Sequence, residues 1–313
     1  MSLRPVKRLS KAQPTMEGAG VFLHRAFGFG DTDETDPFLL LDDFRNDVPS
    51  RYLKGFPWHP HRGIETVTYV LAGEVEHGDS LGNNGTLGSG DVQWMTAGSG
   101  IVHKEMPRGN DMGQMHGFQL WANLPADRKM TQPRYQDIQA SQIPEVMEDD
   151  GTSIRVVTGE FGGKRGPVEG IAADPRYLDI SVPPNKSRSF KVETTRHAFA
   201  YVFGGSGDFR GASDPSMAPT EYVNGEGTTD AIPAHPAENR TLILFDSGDE
   251  IRVAAGPAGI RFLLVSGEPL REPVAWQGPI VMNTREELMT AFQEYQEGSF
   301  LKQEHPDFRN RSK

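Results

Sequence analysis

Two short pairs of residues in this chain are of the types that bind metal ions. His59 and His61 are separated by one residue, and so are His103 and Glu105. If both segments are strands, positions i and i+2 lie on the same face, and each pair can direct two ligands to one side. Three imidazoles and one carboxylate suit Fe, Mn, Ni, Cu or Zn and leave octahedral positions open. Open positions predict chemistry at the metal, and not only structural support.

A second carboxylate competes for the fourth ligand position. Glu65 follows His61 by four residues, and on an unbroken strand its side chain would face the same way. Gly63 lies between them and allows a bulge or bend, which would reset the alternation. The spacing alone therefore leaves Glu65 and Glu105 as alternatives.

The residues around these pairs are typical of short strands joined by tight turns. The segment 66–73 (TVTYVLAG) is rich in β formers and ends at a turn, and the segments 82–85 (GNNG) and 88–91 (GSGD) are strong turn signals. Residues 1–50 show no helical periodicity. Many short strands with glycine-rich turns predict an antiparallel sandwich or barrel.

The second half of the chain repeats the first in a weakened form. The segment from Tyr69 to Gly73 is similar to that from Tyr201 to Gly205, and the Gly-Asp turn at 90–91 is similar to that at 248–249. Similarity of this kind predicts two duplicated barrels. When the repeats are matched on these segments, the second copy retains none of the four ligands. The residues matched to them are Lys191, Glu193, Arg261 and Leu263.

The second repeat also carries a longer segment, around residues 211–240, between its two matching parts. This segment is rich in Pro, Gly, Ser and Thr, which predicts a surface loop. We expect it to decorate the surface rather than to form a lid over the metal site.

The C-terminal region departs from the strand pattern. Thr284 and Glu287 form a capping box, which predicts a helix that ends near Gly298. The apolar residues at helical spacing in this segment are Leu288, Met289, Phe292 and Tyr295. They predict an amphipathic helix that packs on a core or between domains.

The composition excludes several functional classes. The chain has 313 residues, of which 36% are hydrophobic, and this is sufficient for two domain cores. A net charge of -11 argues against direct binding to nucleic acid. The sequence shows neither a membrane-spanning stretch nor the apolar part of a secretory signal. The absence of cysteine fits a reducing compartment, so we expect a cytoplasmic protein that does not bind membranes.

Three motifs of this chain resemble the pirin family of the cupin superfamily. They are 59–67 (HPHRGIETV), 90–98 (GDVQWMTAG) and 100–107 (GIVHKEMP), and the resemblance continues at 117–125 (GFQLWANLP) and 283–287 (NTREE). It implies an all-β fold of two tandem antiparallel β-barrels of the cupin, or jelly-roll, type with a C-terminal helix. Residues 1–135 would form a metal-binding barrel, and residues 136–313 a degenerate barrel without metal ligands.

The resemblance also implies the site and its chemistry. It places the metal ligands at His59, His61, His103 and Glu105, and so favours Glu105 over Glu65. Fe(II) is the expected ion, with Zn, Mn, Ni, Co or Cu as alternatives. Some pirins act as quercetin 2,3-dioxygenases, which implies cleavage of a flavonol-like small molecule with O2 and a general-base role for Glu105.

Two alternative functions stay open at this point. Other pirins act as iron-dependent partners of transcription factors or metabolic enzymes, which implies a metal- or redox-gated interaction with a protein partner and no turnover. The metal could also only stabilise the barrel. A deep apolar cavity beside the ligands would favour the enzyme, and a filled one would favour the interaction protein.

Overall fold

The computed structural model describes residues 2–211, 236–303 and 305–309. Within these residues the fold is built from antiparallel sheets, with one long helix near the C-terminus. The predicted all-β fold of two tandem domains with a C-terminal helix is therefore confirmed. Residues 212–235 of the loop predicted around residues 211–240 lie outside the described residues, and Ala237–Glu238 at its end form a short strand. None of the described helices is long and apolar enough to cross a membrane.

The first half of the chain forms a sandwich of two sheets. The strand β1 Val6–Lys11 joins the sheet of the second half. The strands of the sandwich are β2 Gln13–Glu17, β3 Val21–Phe27, β4 Phe38–Asp43, β5 Phe56–His61, β6 Ile64–Ala72, β7 Glu74–Asp79, β8 Asn84–Leu87, β9 Val92–Thr96, β10 Ile101–Arg108, β11 His116–Asn123 and β12 Arg134–Ile138. The larger sheet has the order β12-β9-β6-β11-β4-β3-β2, and the smaller has the order β5-β10-β7-β8. Short helices interrupt the connections at α1 Thr32–Thr35 and, as 3-10 turns, at Pro49–Arg51, Ala126–Arg128 and Ala140–Gln142.

The second half is organised around one nine-stranded sheet. Its elements are β13 Glu145–Met147, β14 Ser153–Thr158, β15 Glu160–Phe161, β16 Lys164–Arg165, β17 Arg176–Val182, β18 Ser187–Lys191, β19 His197–Asp208, β20 Ala237–Glu238, β21 Thr241–Phe245, β22 Glu250–Gly267, β23 Ala275–Gln277, β24 Ile280–Met282, α2 Arg285–Glu297 and α3 Pro306–Arg309. The main path through the sheet is β1-β21-β19-β22-β17-β14-β13.

The central strand β6 contributes to both domains because its side chains alternate between two buried faces. Thr68 and Val70 face the smaller sheet of the first domain. Val67 and Tyr69 face the second domain, where they join a core that includes Phe199. One strand thus carries the wall of the candidate site on one side and the domain interface on the other.

Two tyrosine–aspartate hydrogen bonds cross this interface in a reciprocal arrangement. Tyr69 of the first domain donates its hydroxyl proton to Asp179 Oδ2 of the second, at 2.7 Å. Tyr201 of the second domain donates to Asp43 Oδ2 of the first, at 2.8 Å. The two tyrosines are those matched by the internal repeat. Burial and the neighbouring carboxylate raise the pKa of each tyrosine, so both stay protonated as donors.

Each of these buried aspartates is also neutralised by an arginine. Arg261 donates to both oxygens of Asp179, at 3.0 and 2.7 Å, and Arg45 donates to both oxygens of Asp43. A buried carboxylate without such partners would be strongly destabilising. The interface therefore combines an apolar core with two satisfied polar groups.

The two ends of the chain cross between the domains. Strand β1 pairs with β21 of the second sheet, while Val281 in β24 packs with Ile64 and Met95 of the first domain. The division of the chain into a first domain of residues 1–135 and a second domain of residues 136–313 remains a prediction. Near each end of the chain one strand contacts the other domain: β1 pairs with the second sheet, and β24 packs on the first domain.

The predicted C-terminal helix is confirmed as α2. Thr284 is its N-cap and forms the capping box with Glu287, and Gly298 ends it in the left-handed conformation. Leu288 lies on the buried face, as expected. Met289 is 63% exposed and does not belong to that face.

The strand pairing corrects one part of the internal repeat. In the first domain the Gly-Asp turn at 90–91 precedes β9, but in the second the turn at 248–249 lies between β21 and β22. The first half of β22 pairs with β18, in the same way as β10 pairs with β5 in the first domain. Arg261 and Leu263 lie in the second half of β22, which pairs with β17 and β19. The match of these two residues to His103 and Glu105 was therefore wrong. The strand that corresponds to β10 contains no histidine.

We expect Tyr69→Phe and Tyr201→Phe each to lower the free energy of unfolding by about 1–3 kcal/mol, because each removes a donor to a buried carboxylate. Urea unfolding measures this change. Tyr295→Phe is the matched control, since Tyr295 is 44% exposed on α2, and it should change stability by less than about 0.5 kcal/mol. Equal stability of all three variants would contradict the proposed role of the two bridges.

Candidate metal centre

The three histidines of the candidate site lie on two adjacent antiparallel strands. His103 of β10 is directly opposite His59 of β5, and Ile101 is opposite His61. Gly63 separates β5 from β6 with a φ of 77°, and a Cβ atom there would lie 1.9 Å from the carbonyl oxygen of Val281. Only glycine fits this position, which ends β5 immediately after its second histidine.

Backbone carbonyls set the tautomers of His59 and His61. The Nδ1 atom of His59 lies 2.8 Å from the oxygen of Pro57, and Nδ1 of His61 lies 3.1 Å from the oxygen of Pro279. Because a carbonyl oxygen only accepts, each Nδ1 carries the proton and each Nε2 presents a lone pair. The two Nε2 atoms are 3.1 Å apart. Two nitrogens about 2.0–2.1 Å from one ion at a right angle would be about 3 Å apart, so the pair fits a shared metal ion.

His103 completes the group. One ligand nitrogen from each of His59, His61 and His103 lies within 4.8 Å of the others, and the structure gives no other group of three or more such ligands among the residues it describes. Both ring nitrogens of His103 are buried and have no hydrogen-bond partner in the described part of the chain. Buried polar atoms are rarely left without partners. A metal ion at this point would satisfy His103.

The electrostatics of the group favour neutral imidazoles. Burial lowers the pKa of His59, and it lowers those of His61 and His103 well below the ordinary value. Mutual repulsion between the rings adds to the effect for His61 and His103. Neutral imidazole is the form that binds a metal.

Glu105 lies beside this group but is not one of its three members. Its buried carboxyl oxygen Oε1 accepts a hydrogen bond from Thr68 Oγ1 at 2.9 Å. Burial raises the pKa of Glu105 to about 7, and the bond from Thr68 opposes that rise. The structure brings three of the four predicted ligands together, and the assignment of Glu105 as the fourth stays a prediction.

Glu65 faces the other side of the sheet. Its side chain lies on the same face of β6 as those of Val67 and Tyr69, which is the face toward the second domain. Its Oε1 atom accepts a hydrogen bond from Thr96 Oγ1 at 2.7 Å. Thr68, which contacts Glu105, is on the opposite face. The structure therefore separates Glu65 from the histidines, and the break at Gly63 explains why the alternation did not continue from His61.

A cavity of about 620 Å³ opens beside His59, His61 and Glu105. Trp121 packs edge-on against His61 with ring centroids 5.0 Å apart, and Trp276 packs against Trp121 at 6.0 Å. The other aromatic residues that line the cavity are Phe29, Phe44, Tyr52, Phe56 and Trp58. Such a volume and lining are typical of a site for a small aromatic ligand.

Some of these features could have been found in the sequence and others could not. Of the apolar residues that lie near the two ligand pairs in the sequence, Phe56, Trp58 and Met115 line the cavity, whereas Met95 and Phe118 are packed in hydrophobic cores. The alternation of β11 could have placed Trp121 on the face of Gln119. The carbonyl of Pro279 carries no such signal, because it reaches His61 from a distant part of the chain.

Two buried basic side chains attach the segment that carries Pro279 to the first domain. Arg62 donates to the carbonyls of Ser99 and Phe300 and pairs with Glu294 of α2 at 2.7 Å. Lys129 donates to the carbonyls of Gly63 and Val281 and to Asn123 Oδ1. These bonds fix the position of the carbonyl that orients His61.

Comparisons with known proteins agree with this architecture. The Pirin family model matches residues 20–122, and the model for the pirin C-terminal cupin domain matches residues 177–301. A pirin-like protein of Caulobacter vibrioides is 44% identical over 301 residues, covering 96% of this chain and 100% of that protein. A Pseudomonas aeruginosa protein, provisionally named quercetin 2,3-dioxygenase, is 39% identical over 299 residues, covering 94% and 97%. The crystal structure of a quercetin 2,3-dioxygenase from Acinetobacter baumannii has a TM-score of 0.80 at 29% identity, covering 96% of this chain and 99% of that one.

Removal of any of the three imidazoles should abolish stable metal binding. We expect His59→Ala, His61→Ala and His103→Ala to lose most of the ion that the unaltered protein retains through gel filtration, as measured by elemental analysis. His116→Ala is the matched control, because His116 bonds to Asp47 outside the group. Full metal content in the three site variants would contradict the assignment.

Lys129 should make stability depend on pH. Burial lowers the pKa of Lys129 from 10.5 to about 7 in the folded protein. Between pH 7 and 10.5 Lys129 is protonated in the unfolded chain but neutral in the folded protein. Unfolding in this range therefore takes up a proton, so the free energy of unfolding increases as pH rises. Relative to Lys129→Met, the unaltered protein should gain on the order of 1 kcal/mol per pH unit in this range. If the free energies of unfolding of the two proteins changed with pH by the same amount between pH 7 and 10, this assignment would be contradicted.

Proposed function

Since this chain belongs to the pirin family, we propose that it is a metal-dependent dioxygenase that cleaves quercetin-type flavonols with O2 and releases carbon monoxide. We assign its cofactor as one divalent transition ion in the first domain, Fe(II) in the first instance, bound by His59, His61 and His103 with Glu105 as fourth ligand. The oxidoreductase class is that of the relatives named above.

The observation that carries the proposal is the position of the imidazoles at the wall of an aromatic cavity. A purely structural metal site is normally closed by its ligands. Here His59 and His61 line a space of about 620 Å³ whose other walls include Trp121 and Trp276. The arrangement supports binding of a planar aromatic molecule with one edge at the metal site.

The ion, once bound, would supply Lewis-acid activation of the flavonol oxygens. The chain supplies the remaining parts of the reaction. The aromatic walls stack against the planar rings and exclude water from the site. Glu105, positioned by Thr68, would leave the ion or share it with the substrate and take the proton of the flavonol 3-hydroxyl group as general base. The deprotonated ring then reacts with O2, its C2–C3 and C3–C4 bonds break, and both oxygen atoms enter the ester product. The C3 atom leaves as carbon monoxide with the 3-oxygen, and the proton returns from Glu105 to the carboxylate of the product.

The competing function is a metal-gated interaction with a protein partner. This function predicts a filled site, in which side chains occupy the space beside the metal ligands, whereas the enzyme requires an open cavity there. The open cavity favours the enzyme, because a surface sensor has no need of an aromatic pocket that contacts His61.

Glu105→Gln should separate proton transfer from binding. We expect quercetin-dependent oxygen uptake to fall by about 100-fold or more in kcat, because the amide cannot accept the hydroxyl proton. Metal content should remain close to that of the unaltered protein, since the three imidazoles are intact and the amide oxygen of glutamine can take the place of the carboxylate as fourth ligand. Glu65→Gln is the matched control, as Glu65 is a buried carboxylate on the opposite face of the sheet.

Two outcomes would count against the proposal in different ways. Normal turnover by Glu105→Gln would exclude Glu105 as the base but leave the activity. A metal-loaded unaltered protein that consumes no O2 with quercetin or related flavonols would overturn the proposed activity itself.

A further inference from the structure

A row of polar side chains crosses the floor of the cavity. Thr68 on β6, Gln119 on β11, Asp42 on β4 and Arg25 on β3 are successive cross-strand partners. The row begins beneath Glu105, which contacts Thr68, and Thr68 Oγ1 also lies 2.7 Å from Gln119 Oε1. All four residues line the same cavity as His59 and His61.

The far end of the row is a cluster of three charged groups, Glu17, Arg25 and Asp42. Arg25 donates to both oxygens of Asp42 at 2.8 Å and lies 2.9 Å from Glu17 Oε1. The side chain of Asp42 is only 7% exposed. Two carboxylates and one guanidinium leave this end of the cavity with a formal charge of -1.

The chemistry of this cluster selects one kind of ligand group. A carboxylate has about four lone-pair sites, so Asp42 and Glu17 can accept further hydrogen bonds beyond those from Arg25. Their net charge repels a ligand carboxylate and favours a neutral donor such as a phenolic hydroxyl. Around the row the walls are apolar, and therefore a polar group elsewhere on the ligand would lose its hydration without compensation.

The distance along the row sets the length of the ligand. Neighbouring strands are about 4.8 Å apart, which puts Asp42 about 10 Å and Arg25 about 14 Å from Thr68. A flavonol carries its 3-hydroxyl group on the central ring, with one further ring on either side. When that hydroxyl is beside Glu105, one outer ring points along the row, and the side chains of Asp42, Arg25 and Glu17 reach toward its hydroxyl groups.

We propose that Glu17, Arg25 and Asp42 form a specificity site that accepts hydrogen bonds from ring hydroxyl groups at the end of the substrate remote from the histidines. The inference rests on the proposed flavonol substrate and narrows it to neutral, polyhydroxylated flavonols. Asp42 and Glu17 are the acceptors, and Arg25 positions them.

The test is anaerobic titration calorimetry of the metal-loaded protein with quercetin and with 3-hydroxyflavone, which keeps the reacting hydroxyl but lacks all the others. The unaltered protein should bind quercetin at least about tenfold more tightly. Asp42→Asn should lose roughly this preference by weakening quercetin alone. Asp47→Asn is the matched control, because Asp47 lies outside this cavity, and it should retain the preference.

A second variant keeps the test decisive if Asp42→Asn fails to fold. Glu17 is 41% exposed, and Glu17→Gln should be tolerated while reducing the preference for quercetin in the same direction. Equal weakening of both ligands, or an unchanged preference in both variants, would overturn the inference.

Measurement without O2 separates this inference from the proposed activity. Selective quercetin binding that depends on Asp42, with no oxygen uptake when air is admitted, would overturn the dioxygenase and support the specificity site. Turnover of quercetin and 3-hydroxyflavone with equal KM would overturn the specificity site and leave the dioxygenase.

Discussion

The structure depends on keeping three imidazole rings buried, neutral and convergent. Burial lowers the pKa of all three histidines, and the carbonyls of Pro57 and Pro279 fix two of the rings with their Nε2 lone pairs directed at each other. Lone pairs 3.1 Å apart repel, and His103 adds two nitrogens that have no hydrogen-bond partner among the described residues. A cation between the nitrogens would remove this repulsion and give His103 a partner.

The rest of the chain maintains this arrangement. Strand β10 carries His103 and Glu105, β5 carries the other two histidines, and β6 supplies Thr68 on its inner face and Tyr69 on its outer face. The second domain packs on that outer face, and the C-terminal segment returns to place Pro279 behind His61. The second domain, whose described residues form no group of three metal ligands, thus contributes to the geometry of the site in the other domain.

Local patterns in the sequence were sufficient for some of these features. The two-residue spacing placed His59 and His61 on one face, and the capping box at Thr284 located α2, because both depend only on neighbouring residues. The choice between Glu65 and Glu105 required the backbone break at Gly63, which spacing does not reveal. The match of Arg261 to His103 failed because Gly-Asp turns recur at different connections. The contacts of Pro279 and Lys129 depend on how the chain end folds back, which no local pattern encodes.

The central claim is that His59, His61 and His103 together bind one ion. X-ray absorption spectroscopy of the iron-loaded protein tests it most directly, since the scattering of imidazole rings reveals how many are bound to the metal. The account predicts one ion per chain with three imidazole nitrogens at about 2.0–2.2 Å. An ion with one imidazole or none in its coordination shell would contradict it.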